Sequence, residues 1–150
     1  MYSDSRVADF VEQHFVPVRV HVKEDADAYR ELSEQYGAQW TPTVLIVDND
    51  GQEQHRIEGF LPAPDFLSQL ALGVAKAAFA RKDYAIAAPS FRQVVDEFAA
   101  TEAAPEALYW SGVGQYRATN DPSALRETGE ALHKRFPESS WAKKGSVWLA

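Results

Sequence analysis

Four histidines, His14, His21, His55 and His133, are the side chains best suited to hold a metal or move a proton near neutral pH. None stands four residues from another, so no helix face presents a pair of them to one ion, and no metal is expected. The acidic turn Asp48-Asn49-Asp50-Gly51 invites a calcium reading, but a calcium loop needs oxygen ligands before its glycine and a Glu six residues after it. Ile46 and Ile57 occupy those positions, which leaves a tight hairpin turn. Asp25, Asp27, Glu31 and Glu34 read as helix-start charges and a solvated helix face rather than as an acid–base pair. No Gly-rich phosphate loop and no Gly-x-Ser-x-Gly elbow occurs. Cysteine is absent, which removes disulfides, thiolate metal sites and thiol nucleophiles from these 150 residues and leaves the redox compartment open. With no catalytic group and no cofactor site in view, recognition of another molecule is the chemistry left to seek.

Charge narrows the partner. The net charge is −7, and its distribution is uneven: residues 1–70 hold 5 basic and 13 acidic side chains, residues 71–150 hold 10 and 9. Nucleic acid requires a concentrated basic face, which the acidic first half denies. Apolar residues at 45% and charged residues at 25% exclude wholesale disorder, and the length suits one ordinary domain or two very small ones sharing a core. The longest apolar stretch, Leu67 to Ala75, is broken by Ser68 and Gln69 and cannot span a bilayer. The start, Met1-Tyr2-Ser3-Asp4, lacks the basic and apolar regions of a signal peptide, so a cytoplasmic chain without a membrane partner is expected.

The elements that must position any binding residue follow from periodicity. Ser3 or Asp4 can cap a helix whose Val7, Phe10, Val11 and Phe15 share one face. Val16, Val18, Val20 and Val22 then alternate with Pro17, Arg19 and His21, which predicts a strand, at an edge because of Pro17. Asp25 or Asp27 can cap a second helix carrying Tyr29, Leu32 and Tyr36, ended by Gly37. Thr43 to Val47 is a buried strand, and Gln54 to Ile57 returns as its hairpin partner. Beyond Gly59 the pattern is wholly helical: Pro62 and Pro64 mark an entry, and Phe66, Leu70, Val74 and Ala78 form one stripe up to about Arg81. Further helices are predicted over Tyr84–Phe98, Pro105–Ala118, Ser123–Phe136 and Ser140–Ala150.

The second half repeats itself with a period of about 37 residues. Asp83-Tyr84-Ala85-Ile86-Ala87 with Phe91 is answered by Asp121-Pro122-Ser123-Ala124 with Thr128; Ala75 and Gly112 lie twelve residues before Ala87 and Ala124. Trp141, Gly145 and Trp148 match Leu108, Gly112 and Gln115 as a partial third copy. Small residues at Ala75, Gly112 and Gly145 would let helices approach closely, with Ala87 and Ala124 receiving them. This pattern resembles the tetratricopeptide repeat, and Arg135 to Lys144 is similar to the boundary between repeats in bacterial members. The resemblance implies that the first helix of each pair lines a groove, which maps onto Lys76, Phe79, Tyr109, Trp110, Val113, Tyr116, Arg117 and Lys143. Aromatics mixed with Lys and Arg would anchor a peptide or an acidic tail there; the competing reading of Tyr109, Trp110 and Tyr116 is core packing between helices.

The first half resembles the C-terminal two-thirds of a thioredoxin domain. The residues that carry the likeness are Tyr29, Leu32, Tyr36-Gly37-Ala38, Trp40-Thr41-Pro42-Thr43-Val44-Leu45-Ile46-Val47-Asp48, Gly51, Arg56, Gly59, Phe66 and Leu70. It implies a cis bond before Pro42 and a Trp40–Thr41–Pro42 loop beside the family's redox site, where the residue before the proline offers backbone hydrogen bonds to an extended peptide. The opposing reading is a loop kept only because the fold needs it. The family's Cys-x-x-Cys and the strand leading to it are absent; Met1 could be the Met that relatives carry shortly after the second Cys, with the start upstream. The resemblance places the missing strand centrally, so residues 16–22 would pair directly with Thr43–Val47 or leave an open edge for a partner or a second copy, and self-association is expected.

The combined expectation is a truncated α/β thioredoxin-like unit at residues 1–62 followed by all-α tetratricopeptide-like hairpins at 63–150, with helix 63–81 shared and Leu67, Leu70, Val74 and Phe79 buried along it. This resembles bacterial thioredoxin–repeat fusion proteins, some of which act as chaperone partners. A redox-inactive, non-enzymatic protein-binding or chaperone-like module is the first function, acting on a protein or peptide client. The alternative is the C-terminal portion of a thiol–disulfide oxidoreductase whose Cys-x-x-Cys lies upstream, and a third is a scaffold without a client.

Overall fold

A computed structural model describes residues 2–150. Met1, a candidate for the methionine that follows the family's redox motif, lies outside the described residues. Helix α1, Ser5–His14, begins where Asp4 accepts a hydrogen bond from the Arg6 amide at 3.0 Å; the Arg6 guanidinium, 2.7 Å from the same carboxylate, helps hold its pKa down to about 2. Its apolar face buries Val7 and packs Phe10, Val11 and Phe15 beside it.

The strand expected at residues 16–22 does not form. Val16 is 93% exposed and Val18 82%, and among the described residues β1 pairs with β2 and with no other strand. Alternating valines specify a face, but a strand also needs a neighbour for its N–H and C=O groups, and none lies alongside. The Asp25 carboxylate accepts from the His21 amide at 2.8 Å, turning the chain into α2, Ala26–Tyr36, so Asp25 closes that turn instead of capping the helix with its side chain. Gly37 ends α2 in the left-handed conformation at φ 62°.

Strands β1, Thr43–Val47, and β2, Glu53–Glu58, form an antiparallel pair with Val44 opposite Ile57 and Ile46 opposite His55. Asp48 makes the turn, its Oδ1 accepting from the amides of Asp50 and Gln52 and its Oδ2 from Gln54; these bonds lower its pKa. On one face Arg56 donates to the Tyr36 carbonyl, and the Tyr36 hydroxyl donates to the Gly51 carbonyl at 3.0 Å, which ties α2 to the sheet. On the other face Ile46 and His55 press against Gly73, where an added Cβ would overlap Ile46.

Gly73 belongs to α3, Ala63–Ala80, which enters two cores. Phe66, Leu67 and Leu70 join Val7, Ile46 and Ile57; Leu72, Ala75 and Ala78 join Ala87, Phe91, Val94, Val95, Ala103 and Ala107. Leu67 and Leu70 are buried as expected, whereas Val74 and Phe79 are half-buried. Helices α4, Tyr84–Glu97, α5, Ala103–Thr119, α6, Ser123–Arg135, and α7, Ser140–Gly145, follow through turns of three to five residues. Helix α5 starts two residues before Pro105, which sits in its first turn where no N–H is needed, and the last predicted helix continues after α7 only as a 3-10 turn, Ser146–Leu149. Gly112 is met by Thr128 of α6 rather than by Ala124: a Cβ there would overlap the threonine side chain. Gly114 lies against Ala88, and Gly145 against Leu132 and Trp148. Among the described residues no helix is long and apolar enough to cross a membrane.

Candidate functional site

The helical half gathers aromatic rings from separate helices into one file. Phe79 of α3 lies edge-on to Tyr84 at 5.1 Å and to Trp110 at 5.2 Å. Trp110 meets Tyr109 edge-on at 5.3 Å, and Tyr109 stacks on Trp148 at 4.7 Å and leans on Trp141 at 5.1 Å. Cations close two points of the file: the Arg117 guanidinium sits 5.0 Å above Tyr84 and the Lys144 ammonium 3.8 Å above Trp141. Tyr109, Trp110, Trp141 and Trp148 are all half-buried, so the rings divide their surface between neighbouring helices and solvent.

Beside the file, Gln54, Lys76, Phe79, Ala80, Phe91 and Trp110 line an open cleft of about 210 Å³. The Trp110 indole Nε1 is buried without an acceptor, a donor whose desolvation nothing in the described structure offsets. Lys76 does not face the cleft as a free cation, because Glu106 of α5 takes it at 2.6 Å. Its ammonium also reaches His55 Nδ1 at 3.3 Å, and His55 Nε2 contacts Gln69 Oε1 at 2.7 Å. These partners select one tautomer: Nδ1 accepts from Lys76 and Nε2–H donates to Gln69. Burial, reinforced by the Lys76 charge, lowers the His55 pKa and keeps the ring neutral. With both nitrogens engaged, His55 has none left for a substrate; the relay joins β2, α3 and α5 instead of doing chemistry.

The predicted residues separate into three groups. Lys76, Phe79, Tyr109, Trp110 and Arg117 come together in or beside the ring file. Tyr116 is half-buried on the same helix and Lys143 is exposed, with Lys144 rather than Lys143 over a ring. Trp40, Thr41 and Pro42 form a separate exposed loop, with Trp40 69% exposed. Its Thr41–Pro42 bond is cis, Thr43 Oγ1 donates to the Trp40 carbonyl at 2.7 Å, and the Gly59 amide donates to the Pro42 carbonyl at 2.8 Å. Reasoning from the sequence missed Glu106 and the ring partners Tyr84, Trp141 and Trp148. The spacing of seven between Trp141 and Trp148, which sets both on one side of a helix, was the available signal. Among the described residues no group of His, Asp and Glu is placed to hold a metal ion.

Comparison with known proteins bears on the region of the Trp40–Thr41–Pro42 loop and not on the ring file. Residues 1–73 match the family model described as a thioredoxin-like domain. No curated protein and no solved structure matches the chain. The matched stretch runs from α1 through the β1–β2 hairpin to Gly73 in α3, so it is the first half that is similar to a thioredoxin-like domain. It contains no cysteine, so thiol–disulfide exchange has no thiolate within these residues.

Proposed function

We propose that this chain is a non-enzymatic protein-binding module in which the helical half, read as tetratricopeptide-like hairpins, takes a peptide or acidic tail along α3, α5 and α7. The observation that carries the reading is the half-buried ring file, capped by Arg117 and Lys144 and lying beside a cleft lined in part by Phe79 and Trp110. Aromatic anchors with cations at their rim suit apolar side chains set between carboxylates. Packing in the helical half is consistent with this use: α5 touches both α3 and α7, and glycines let α5 approach α4 and α6 closely. The Trp40–Thr41–Pro42 loop is a second, smaller contact in the same reading.

The test is titration of the chain with acidic peptides bearing Leu or Phe, followed by tryptophan fluorescence. Tyr109→Ala and Arg117→Ala should each weaken binding about tenfold, the loss of roughly 1.4 kcal/mol, while circular dichroism stays unchanged. Binding by both variants as tight as that of the unaltered chain would reject the ring file as the site. The thioredoxin-like match favours a second reading, the redox-silent portion of a thiol–disulfide oxidoreductase. An in-frame Cys-x-x-Cys shortly upstream, with insulin reduction by the extended chain, would establish it.

A further inference from the structure

We infer that the ring file takes helix α2 of a second copy of this chain, so that copies join through two different surfaces. The inference rests on the proposed reading of the file as a site for acidic peptides and names its occupant. Among the described residues α2 is the only α-helix that buries none of its residues. No other helix or strand packs along it. Its ties are at its last residue, where Arg56 donates to the Tyr36 carbonyl and the Tyr36 hydroxyl donates to the Gly51 carbonyl. Helices shorter than about 12–15 residues are marginal in water without a packed face, and α2 has 11. A neighbour along its length would supply what its own chain does not.

The side chains of α2 match the file. Asp27, Glu31 and Glu34 recur at helical spacing and form one stripe, with Ala28 and Leu32 beside it. Leu32 is 37% exposed. Arg30 engages Asp27 at 3.0 Å, whereas Glu31 and Glu34 have no ion-pair partner among the described residues. On the file, Arg117 and Lys144 are exposed, and no carboxylate among the described residues pairs with either. Carboxylates beside a leucine are thus offered to cations beside aromatic rings. The uneven charge acts in the same direction: residues 1–70 carry 13 acidic side chains against 5 basic, and residues 71–150 carry 9 against 10. The first half of one copy is therefore drawn to the second half of another. Within one chain α2 packs against none of α3, α5 or α7, which leaves helix and file both open. A helix about 16 Å long covers less than the roughly 1,200 Å² of a stable complex, so the contact is weak and association sets in at about 0.1 mM.

The deciding measurement is light scattering by the full chain from about 0.01 to about 1 mM at low salt. The average mass should rise with concentration and fall back when salt is raised to about 0.5 M. Glu31→Lys with Glu34→Lys, both exposed and unpaired, should weaken association at least about tenfold, as should Arg117→Glu with Lys144→Glu. Mixed in equal amounts, the two variants should associate again, because each keeps the surface that the other has lost. A variant that had merely unfolded would not be rescued in this way. Association that both variants leave undiminished overturns the inference, and so does a mixture that stays monomeric after each variant has lost association. A chain that is monomeric at about 1 mM overturns it as well. If Leu- or Phe-bearing acidic peptides still bind the file of that monomer, the proposed function stands without the second copy; if they do not, both fail.

Discussion

The two cores that share α3 are closed in different ways. The core around Phe91 is enclosed by helices on successive sides: Phe91, Leu72, Ala75, Ala87, Ala103 and Ala107 are each essentially inaccessible. The core around Phe66 is enclosed by α1, the hairpin and α3, yet the same half leaves Val16, Val18, Trp40 and Phe60 in solvent. Both cores obey the same hydrophobic driving force, but only the helical one could be completed locally. A helix satisfies its own backbone and needs a neighbour for side chains alone, whereas a strand needs a neighbour for its backbone as well. The contrast explains why the exposed apolar surface concentrates in the first half.

The contrast can be broken most forcefully inside the closed core. Phe91→Ala should destabilise the chain by about 3–5 kcal/mol, measured by urea denaturation, and Phe66→Ala should do nearly as much, because the open half still buries its centre fully. A much smaller loss for Phe66→Ala would mean that the first half adds little to folding. Next in size, Gly112→Val forces a side chain into Thr128 and should cost about 1–3 kcal/mol; the paired change Gly112→Ala with Thr128→Ser should recover part of it. A thermal melt of the two variants checks this.

The seam between the cores should show itself as a pH dependence. Burial and the Lys76 charge keep His55 neutral below the ordinary imidazole value of 6.5. The unfolded chain therefore takes up this proton first as pH falls. The stability due to His55 is fully present above about pH 6.5 and declines as the pH drops from there toward the lowered folded value. His55→Gln should remove that part of the slope, read as the difference between wild-type and variant melting curves from pH 7.5 to 5.5. The smallest effect belongs to the open surface: Val16→Ser and Val18→Ser should each change stability by no more than about 0.5 kcal/mol. A large loss at either would show that residues 16–22 are held in a paired state in solution.

Much of this arrangement could be read along the chain. Gly37 as a helix end, the strand after Thr41–Pro42, the Asp48 turn and the entry at Pro62 each have a local physical cause, and each stands where its residues put it. The strand at residues 16–22 was misread because a period of two records which way side chains point, not whether a backbone partner exists. The contact at Gly112 was misread for a related reason: Ala124 was expected to receive it, but the nearest atoms belong to Thr128, because the contact depends on the depth of helix approach, which a glycine deepens. The relay through His55, Lys76 and Glu106 had no sequence signal, since its members lie on three elements and no spacing links them. For the ring file, Tyr109, Trp110 and Arg117 were named through the resemblance of the helical half to a repeat family, while Trp148 and Lys144 lay where the third copy of the repeat is incomplete.

A single helix serves as a wall of both cores, and this has a consequence for how the molecule comes apart. No cut within residues 63–80 leaves either half with its interior intact, so the chain should not be divisible into two autonomous pieces. Heat should therefore melt the hairpin and the helical stack together in one cooperative step, although their surfaces and sequence patterns have so little in common.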